Sequence, residues 1–263
     1  MTATLSKEAI HQAVQEQYGA LARNYGKEVK QAGSGESCCA PTCCSEPASS
    51  DYSREELASV PKDAYLGAGS GNPTRHAGLQ PGEKVIDLGA GAGMDSFLAA
   101  NAVGATGRVY GFDLTNDMLA RARSNAASGG YRNVSFERAD IEKLPLADSA
   151  ADAAISNCVI NLAPDKAAVY REMFRALRPG GRFSVADIVL RGPADDLRAF
   201  RSRVHEGNWC GCVSGALAEG EYLEAIRSAG FADVRVVVER PAELQPGGAL
   251  KAVAVTITGR KPA

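Results

Sequence analysis

Histidine is scarce in this chain of 263 residues: His11, His76 and His205 are all there is, which leaves few candidates for a histidine general base. Charge of one sign is lacking too, and a net charge of −2 provides no basic field to recruit nucleic acid or an anionic membrane surface. No apolar run approaches the roughly 20 residues that a membrane span needs. The opening Met1-Thr2-Ala3-Thr4-Leu5 does not read as a secretory signal, because a charged amphipathic stretch follows it directly. What is left, 45% hydrophobic and 23% charged residues, is the composition of an ordinary soluble globular protein. The length suits one sizeable α/β domain with appendages.

Cysteine, by contrast, is plentiful. Seven is an odd number, no export signal accompanies it, and a chain of this size does not need disulfide staples. These features predict a reducing cytoplasm with working thiols.

Residues 84–95, Lys-Val-Ile-Asp-Leu-Gly-Ala-Gly-Ala-Gly-Met-Asp, organise the rest. Val85, Ile86 and Leu88 read as a buried strand, Gly89, Gly91 and Gly93 as a turn, and Met94 to Val103 as an apolar helix. A strand feeding a glycine turn at a helix N-terminus lets backbone N–H groups approach an anionic or carboxylate-bearing ligand closely. A dinucleotide fingerprint would place a small residue where Met94 stands. Asp-x-Gly-x-Gly-x-Gly, starting at Asp87, instead resembles the first motif of class I S-adenosylmethionine (SAM) methyltransferases.

Elsewhere the pattern predicts an N-terminal cap helix over 7–27, with Ser6 as N-cap and a stripe of Ile10, Val14, Tyr18, Leu21 and Tyr25. Residues 31–52 are rich in Gly, Ser and Pro and carry Cys38, Cys39, Cys43 and Cys44, which predicts a mobile loop. Ser53 and Glu56 form a capping-box pattern for a short helix ending near Pro61, and Gly67 to Pro73 is a second glycine-rich loop. Strands are expected near 84–88, 107–113, 133–138, 152–157 and 181–189, with helices near 94–103, 115–127 and 165–177 between them. Arg178-Pro179-Gly180-Gly181 reads as the stop of the last of these helices. Helices near 193–206 and 216–229 and strands near 231–238 and 250–258 complete the chain. This alternation implies a doubly wound, mostly parallel, seven-stranded sheet with a C-terminal antiparallel hairpin. The expected organisation is a cap and Cys-rich loop over 1–75, a cofactor-binding core over 76–190, and a sheet-completing part over 191–263.

Asp113 ends the second strand, about 20 residues after the glycine turn, where one carboxylate faces both hydroxyls of a ribose. The alternative is a helix N-cap, for which Thr115 or Asn116 could serve instead. After the third strand, Asp140 can accept from an adenine amino group while Ile141 packs on the ring. The next strand ends in Ser156-Asn157-Cys158-Val159-Ile160-Asn161-Leu162, which sets Cys158 beside the expected methyl group. A cysteine at a strand end is often only a small buried hydrophobe. Cys210-Gly211-Cys212 and the two Cys-Cys pairs point instead toward soft-ion chemistry.

The first glycine motif, Ser156 to Leu162, and Cys212-Val213-Ser214-Gly215-Ala216-Leu217 together resemble the arsenite SAM-methyltransferase family, over roughly residues 8–240. The two cysteine motifs are the narrow ones. The resemblance implies SAM as cofactor, with Met118 and Asn157 joining Asp87, the three glycines, Asp113, Asp140 and Ile141 around it. It implies that Cys158 and Cys212 hold trivalent arsenic, whose lone pair takes the methyl group without a general base. It implies a redox role for one of the four N-terminal cysteines, with a small-molecule thiol or thioredoxin-type reductant as partner. Those four also admit arsenic capture and delivery, or a zinc knuckle for which the spacing is short. Cys210 has no assigned counterpart. The family often carries a third arsenic-binding cysteine in a Gly-Cys-Gly-Asn-Pro loop, where this chain has Ser70. Two other readings stay open at this point: a carbon- or oxygen-methyltransferase with incidental cysteines, and a thiol-rich metalloid-binding protein that turns over poorly.

Overall fold

The computed structural model describes residues 6–26, 51–204, 211, 213–242 and 249–263. Helix α1 (Lys7–Asn24) starts where Ser6 accepts a hydrogen bond from Ala9 N–H, as the N-cap pattern predicts. It stops at Tyr25, so the last residue of the predicted stripe turns outward and stacks with Arg121, 5.1 Å from its ring centroid. The Ser53–Glu56 capping box is formed at α2 (Arg54–Ala58). Asn72 caps α3 (Pro73–His76), with Pro73 in the first turn, where its missing N–H is no loss.

The core alternates as β1 (Lys84–Leu88), α4 (Met94–Val103), β2 (Arg108–Asp113), α5 (Asn116–Ser128), β3 (Val134–Arg138), β4 (Ala151–Asn157), α6 (Lys166–Ala176) and β5 (Leu177–Arg191). Helices α7 (Ala194–Arg201) and α8 (Glu219–Ser228) and strands β6 (Ala232–Pro241) and β7 (Lys251–Arg260) follow. The described strands form one seven-stranded sheet in the order β3-β2-β1-β4-β5-β7-β6. The first five run parallel, and β7 pairs antiparallel with both β5 and β6. Order reverses between β1 and β4, and ligands of open α/β sheets bind in the crevice such a reversal leaves at the strands' C-terminal ends. Helix α4 is apolar on nearly every side because it is buried, with Phe97, Ala99 and Val103 inaccessible to solvent. Among the described residues, no helix is long and apolar enough to cross a membrane.

The largest boundary differences concern β5 and α7. Helix α6 ends at Ala176 with Leu177 already extended, and Arg178-Pro179-Gly180-Gly181 lies inside β5 rather than forming a helix stop. Pro179 disfavours helical geometry at Arg178. Gly180, at φ +74°, then donates its N–H to Lys261 O at 3.0 Å, tying the start of β5 to the end of the chain. Strand β5 is accordingly longer than predicted at both ends: Leu177 pairs with Ala151 of β4, and Leu190 and Arg191 pair with Ala252 and Lys251 of β7. Helix α7 is shorter than predicted and ends at Arg201.

Candidate active site

A cavity opens at the C-terminal ends of β1, β2 and β4, and α1 roofs it with His11, Val14 and Tyr18. The roof is fastened at both ends. Lys7 Nζ reaches Glu142 at 2.6 Å and Asp140 at 2.9 Å, while Arg23 pairs with Asp117 and Arg121 donates to Ala22 O at 2.7 Å. Below it lie the residues of the glycine turn. Gly89 (φ +73°) and Gly91 (φ +53°) both line the cavity in the left-handed region, where a side chain is strained. Gly89 also lies so close to Val159, the neighbour of Cys158, that a Cβ there would overlap its side chain. Gly93 is not among the lining residues. It caps α4 at φ +98°, where a Cβ would run into the Phe97 and Phe136 rings.

Asp113 lines the cavity from the end of β2. Its two oxygens accept from Gly91 N–H at 2.9 Å and Thr115 N–H at 2.8 Å, and Thr115, not Asp113, occupies the N-cap position of α5. A carboxylate has about four acceptor positions, so it can still take two hydroxyl donors. Burial pushes the Asp113 carboxyl above its ordinary range, against those two N–H donors. Met118 and Ile141, both buried, offer apolar walls beside it. Asp140 stands at the cavity's edge. Burial pushes its pKa up, but the Glu142 N–H and Lys7 outweigh that and hold it below the usual carboxylate range. Lys7 and His11 carried no sequence signal beyond their place on the polar side of α1.

The floor is a hydrogen-bond hub that sequence reasoning mostly missed. Tyr52 O–H lies 2.8 and 2.9 Å from the Asp95 oxygens. Asn157 Nδ2 lies 2.9 Å from Tyr52 Oη, 2.8 Å from Gly71 O and 3.0 Å from Asp95 Oδ2, and Asn157 Oδ1 accepts from Ser70 N–H at 2.9 Å. Asp87, at the end of β1, accepts from Ser96 O–H at 2.5 Å. Burial first, and then the nearby Asp95, hold the Asp87 carboxyl well above the ordinary range, and burial raises Asp95 too, with Glu56 and Asp51 adding to it against the hydrogen bonds from Asn157 and Tyr52. No cation is prominent among the influences on either. The cavity therefore offers buried carboxyls that a cation would help to ionise, a ribose-competent acid and apolar walls, and SAM brings a sulfonium, an ammonium, a ribose and a flat ring. The residues fit the cofactor.

Cys158 lines the same cavity, as predicted, and is buried. It sits at φ +59°, unusual for a residue with a side chain, and its N–H donates to Ala186 O at 2.8 Å. It is disulfide-bonded. The other six cysteines, Cys38, Cys39, Cys43, Cys44, Cys210 and Cys212, its partner among them, lie outside the described residues. The residues after Cys212 are described: Leu217 O accepts from Leu190 N–H at 2.9 Å, which seats that segment on β5. Ser70 is buried against Asn157, with its carbonyl taking Arg240 Nη2 at 2.9 Å and, among the described residues, no hydrogen-bond partner for its hydroxyl.

Comparison with known proteins agrees with this geometry. A family model described as a methyltransferase domain matches residues 79–230. An arsenite methyltransferase of Halobacterium salinarum is 36% identical over all of this chain and 69% of its own length. One from Aquipseudomonas alcaligenes is 35% identical over 88% of this chain and 65% of its own. The chain thus spans about two thirds of these relatives' length. The solved structure of an arsenic(III) SAM methyltransferase from Chlamydomonas reinhardtii superposes with a TM-score of 0.66 at 35% identity, covering 80% of this chain and 73% of that one. A SAM-type cavity, a strained buried cysteine at its edge and these likenesses agree: the chain belongs to the arsenite methyltransferase family, on the class I SAM-methyltransferase fold.

Proposed function

We propose that this enzyme methylates trivalent arsenic held on Cys158 and Cys212, in the cytoplasm, as an arsenic-detoxifying reaction. The observation that supports it best is Cys158: a buried sulfur in left-handed backbone, lining the cofactor cavity and bonded to another cysteine's sulfur. Once that bond is reduced, its two sulfurs are thiols close enough to share a thiophilic atom. Bound SAM supplies an electrophilic methyl on a sulfonium, which the arsenic lone pair attacks in line to leave methylated arsenic and S-adenosylhomocysteine. The chain's own residues position the reactants. Asp113 would hold the ribose, Met118 and Ile141 the ring, and Asp140 its amino edge. Asp87 and Asp95 would balance the cationic end, with Asn157 and Tyr52 fixing Asp95. No side chain need remove a proton from the nucleophile.

Methylation raises arsenic to the pentavalent state. Two thiols oxidised to a disulfide return the two electrons, and a small-molecule thiol or thioredoxin-type protein reduces that disulfide. The four N-terminal cysteines are candidates for one side of this exchange.

Ser70 shapes the choice of substrate. A hard hydroxyl does not replace a thiolate toward arsenic, so two protein sulfurs leave one arsenic position for a methyl group, a hydroxide or a small thiol. Methylarsenite or thiol-conjugated arsenic is then used at least as well as arsenite. Arsenic speciation after incubation with SAM tests the reaction, and the absence of any methylated product overturns it. Ser70→Cys should shift preference toward bare arsenite, and an unchanged preference contradicts the role given to Ser70.

A further inference from the structure

One buried carboxylate takes no part in this mechanism. Asp187 is inaccessible to solvent in the middle of β5 and does not line the cofactor cavity. Burying a carboxylate is expensive unless donors surround it, and here they come from three places. Oδ1 accepts from Ile188 N–H at 2.9 Å, whereas Oδ2 accepts from Asn161 N–H at 3.1 Å and from Tyr222 O–H at 3.0 Å.

The two donors to Oδ2 belong to different arms. Asn161 is three residues beyond Cys158, on the loop that Cys158 opens. That loop is fastened to β5 at consecutive residues: Cys158 N–H to Ala186 O at 2.8 Å, Asn161 N–H to Asp187, and Asn161 Nδ2 to Ile188 O at 2.7 Å. Tyr222 lies in the first turns of α8, which continues directly from the Cys212 segment. That segment meets β5 just beyond Asp187: Leu190 N–H donates to Leu217 O, Leu190 bridges Ala218, and Val213 and Ala216 pack on Ile188 and Leu190. Strand β5 thus acts as a common rail, and Asp187 is where the two arms share an atom.

We propose that Asp187 is a positioning residue for the thiol site, its Oδ2 setting the arm that carries Cys158 against the arm that carries Cys212. The proposal rests on the reading that these two cysteines hold arsenic. A left-handed cysteine relaxes when its loop is released, so loosening the Asn161 tether lets Cys158 leave the geometry that two-sulfur binding needs. Partners that orient metal ligands are worth about 10–100-fold in affinity. Because Asp187 does not reach the cofactor cavity, the loss should fall on the arsenical and not on SAM.

The test compares Asp187→Asn, Asn161→Ala and Tyr222→Phe with wild type and Cys158→Ser. SAM affinity is measured by calorimetry, and KM and kcat are measured with methylarsenite. The expected result is an arsenical KM raised about 10–100-fold in Asp187→Asn and about threefold to tenfold in Tyr222→Phe, which loses one hydrogen bond and keeps its ring, with SAM affinity unchanged in both. A merely structural role lowers the folded, active fraction and leaves both KM values alone. Folded variants with the wild-type arsenical KM, beside an inactive Cys158→Ser, overturn the proposal and spare the thiol reading. Full turnover in Cys158→Ser overturns the thiol reading, and the proposal with it. Should Asp187→Asn fail to fold, Tyr222→Phe decides alone, and an unchanged KM there overturns the proposal.

Discussion

The two halves of the active site are built differently. Around the cavity that would take the cofactor, the groups come from strand ends and the turns that follow them: Asp87, Gly89 and Gly91 at β1, Asp113 at β2, Asp140 and Ile141 after β3. Each is placed by its own βα unit. The thiol half is assembled across the fold instead. Cys158 depends on β5 for its tether, on Gly89 for the space beside Val159, and on another cysteine for its sulfur. The lesson is that a local motif can bring a cofactor site with it, whereas a two-sulfur substrate site needs long-range scaffolding.

The largest expected effect breaks the two halves apart. Asp113→Ala removes the ribose acceptor and strands the Gly91 and Thr115 N–H groups. Hydrogen bonds to a charged group contribute about 1.5–3 kcal/mol each, so SAM affinity should fall by about 100-fold or more. Arsenic retained per protein after desalting should not change. A loss of both would mean that the halves are one cooperative unit.

A second prediction sharpens the electrostatic side. Asp87 and Asp95 have folded-state pKa values above their unfolded ones. Their contribution to stability is therefore complete below about pH 4 and is lost as pH rises through the folded values. On the proposed reading, cationic SAM would bind the ionised pair and release protons. The rise in Tm caused by SAM should grow between about pH 5 and pH 8, with affinity gaining up to about tenfold per pH unit for each proton released. Asp87→Asn should flatten that slope. A slope of zero in wild type would contradict the counter-charge role.

The smallest effect concerns the roof. Lys7 is half exposed, so its pairs with Asp140 and Glu142 are worth about 0–1 kcal/mol. Lys7→Ala should raise the KM for SAM by no more than about fivefold and leave the arsenical KM untouched.

The parallel strands and their helices were legible because short apolar runs such as Val85-Ile86 stand between glycine and proline punctuation, and because Ser6 and Ser53 declare helix starts. The strand-end acids were legible for the same reason, since position in a βα unit assigns them a place. Tyr52 was not. It follows a loop without periodicity and reaches Asp95, 43 positions on, through tertiary contact alone. Asp187 was equally silent, because one acid inside an apolar strand looks the same whether it faces water or three buried donors. The Arg178-Pro179-Gly180-Gly181 stretch misled for a related reason. Its residues suit a helix stop, but the bonds from Gly180 N–H to Lys261 O and from Lys261 N–H to Gly181 O drew them alongside the end of the chain.

The most direct test of the two-thiol account is S-adenosylhomocysteine release with arsenite and with methylarsenite, comparing wild type, Cys158→Ser and Cys212→Ser while SAM binding is followed in parallel. The account predicts turnover in wild type and none in either variant, with SAM bound equally by all three. Turnover surviving in the serine variants would contradict it.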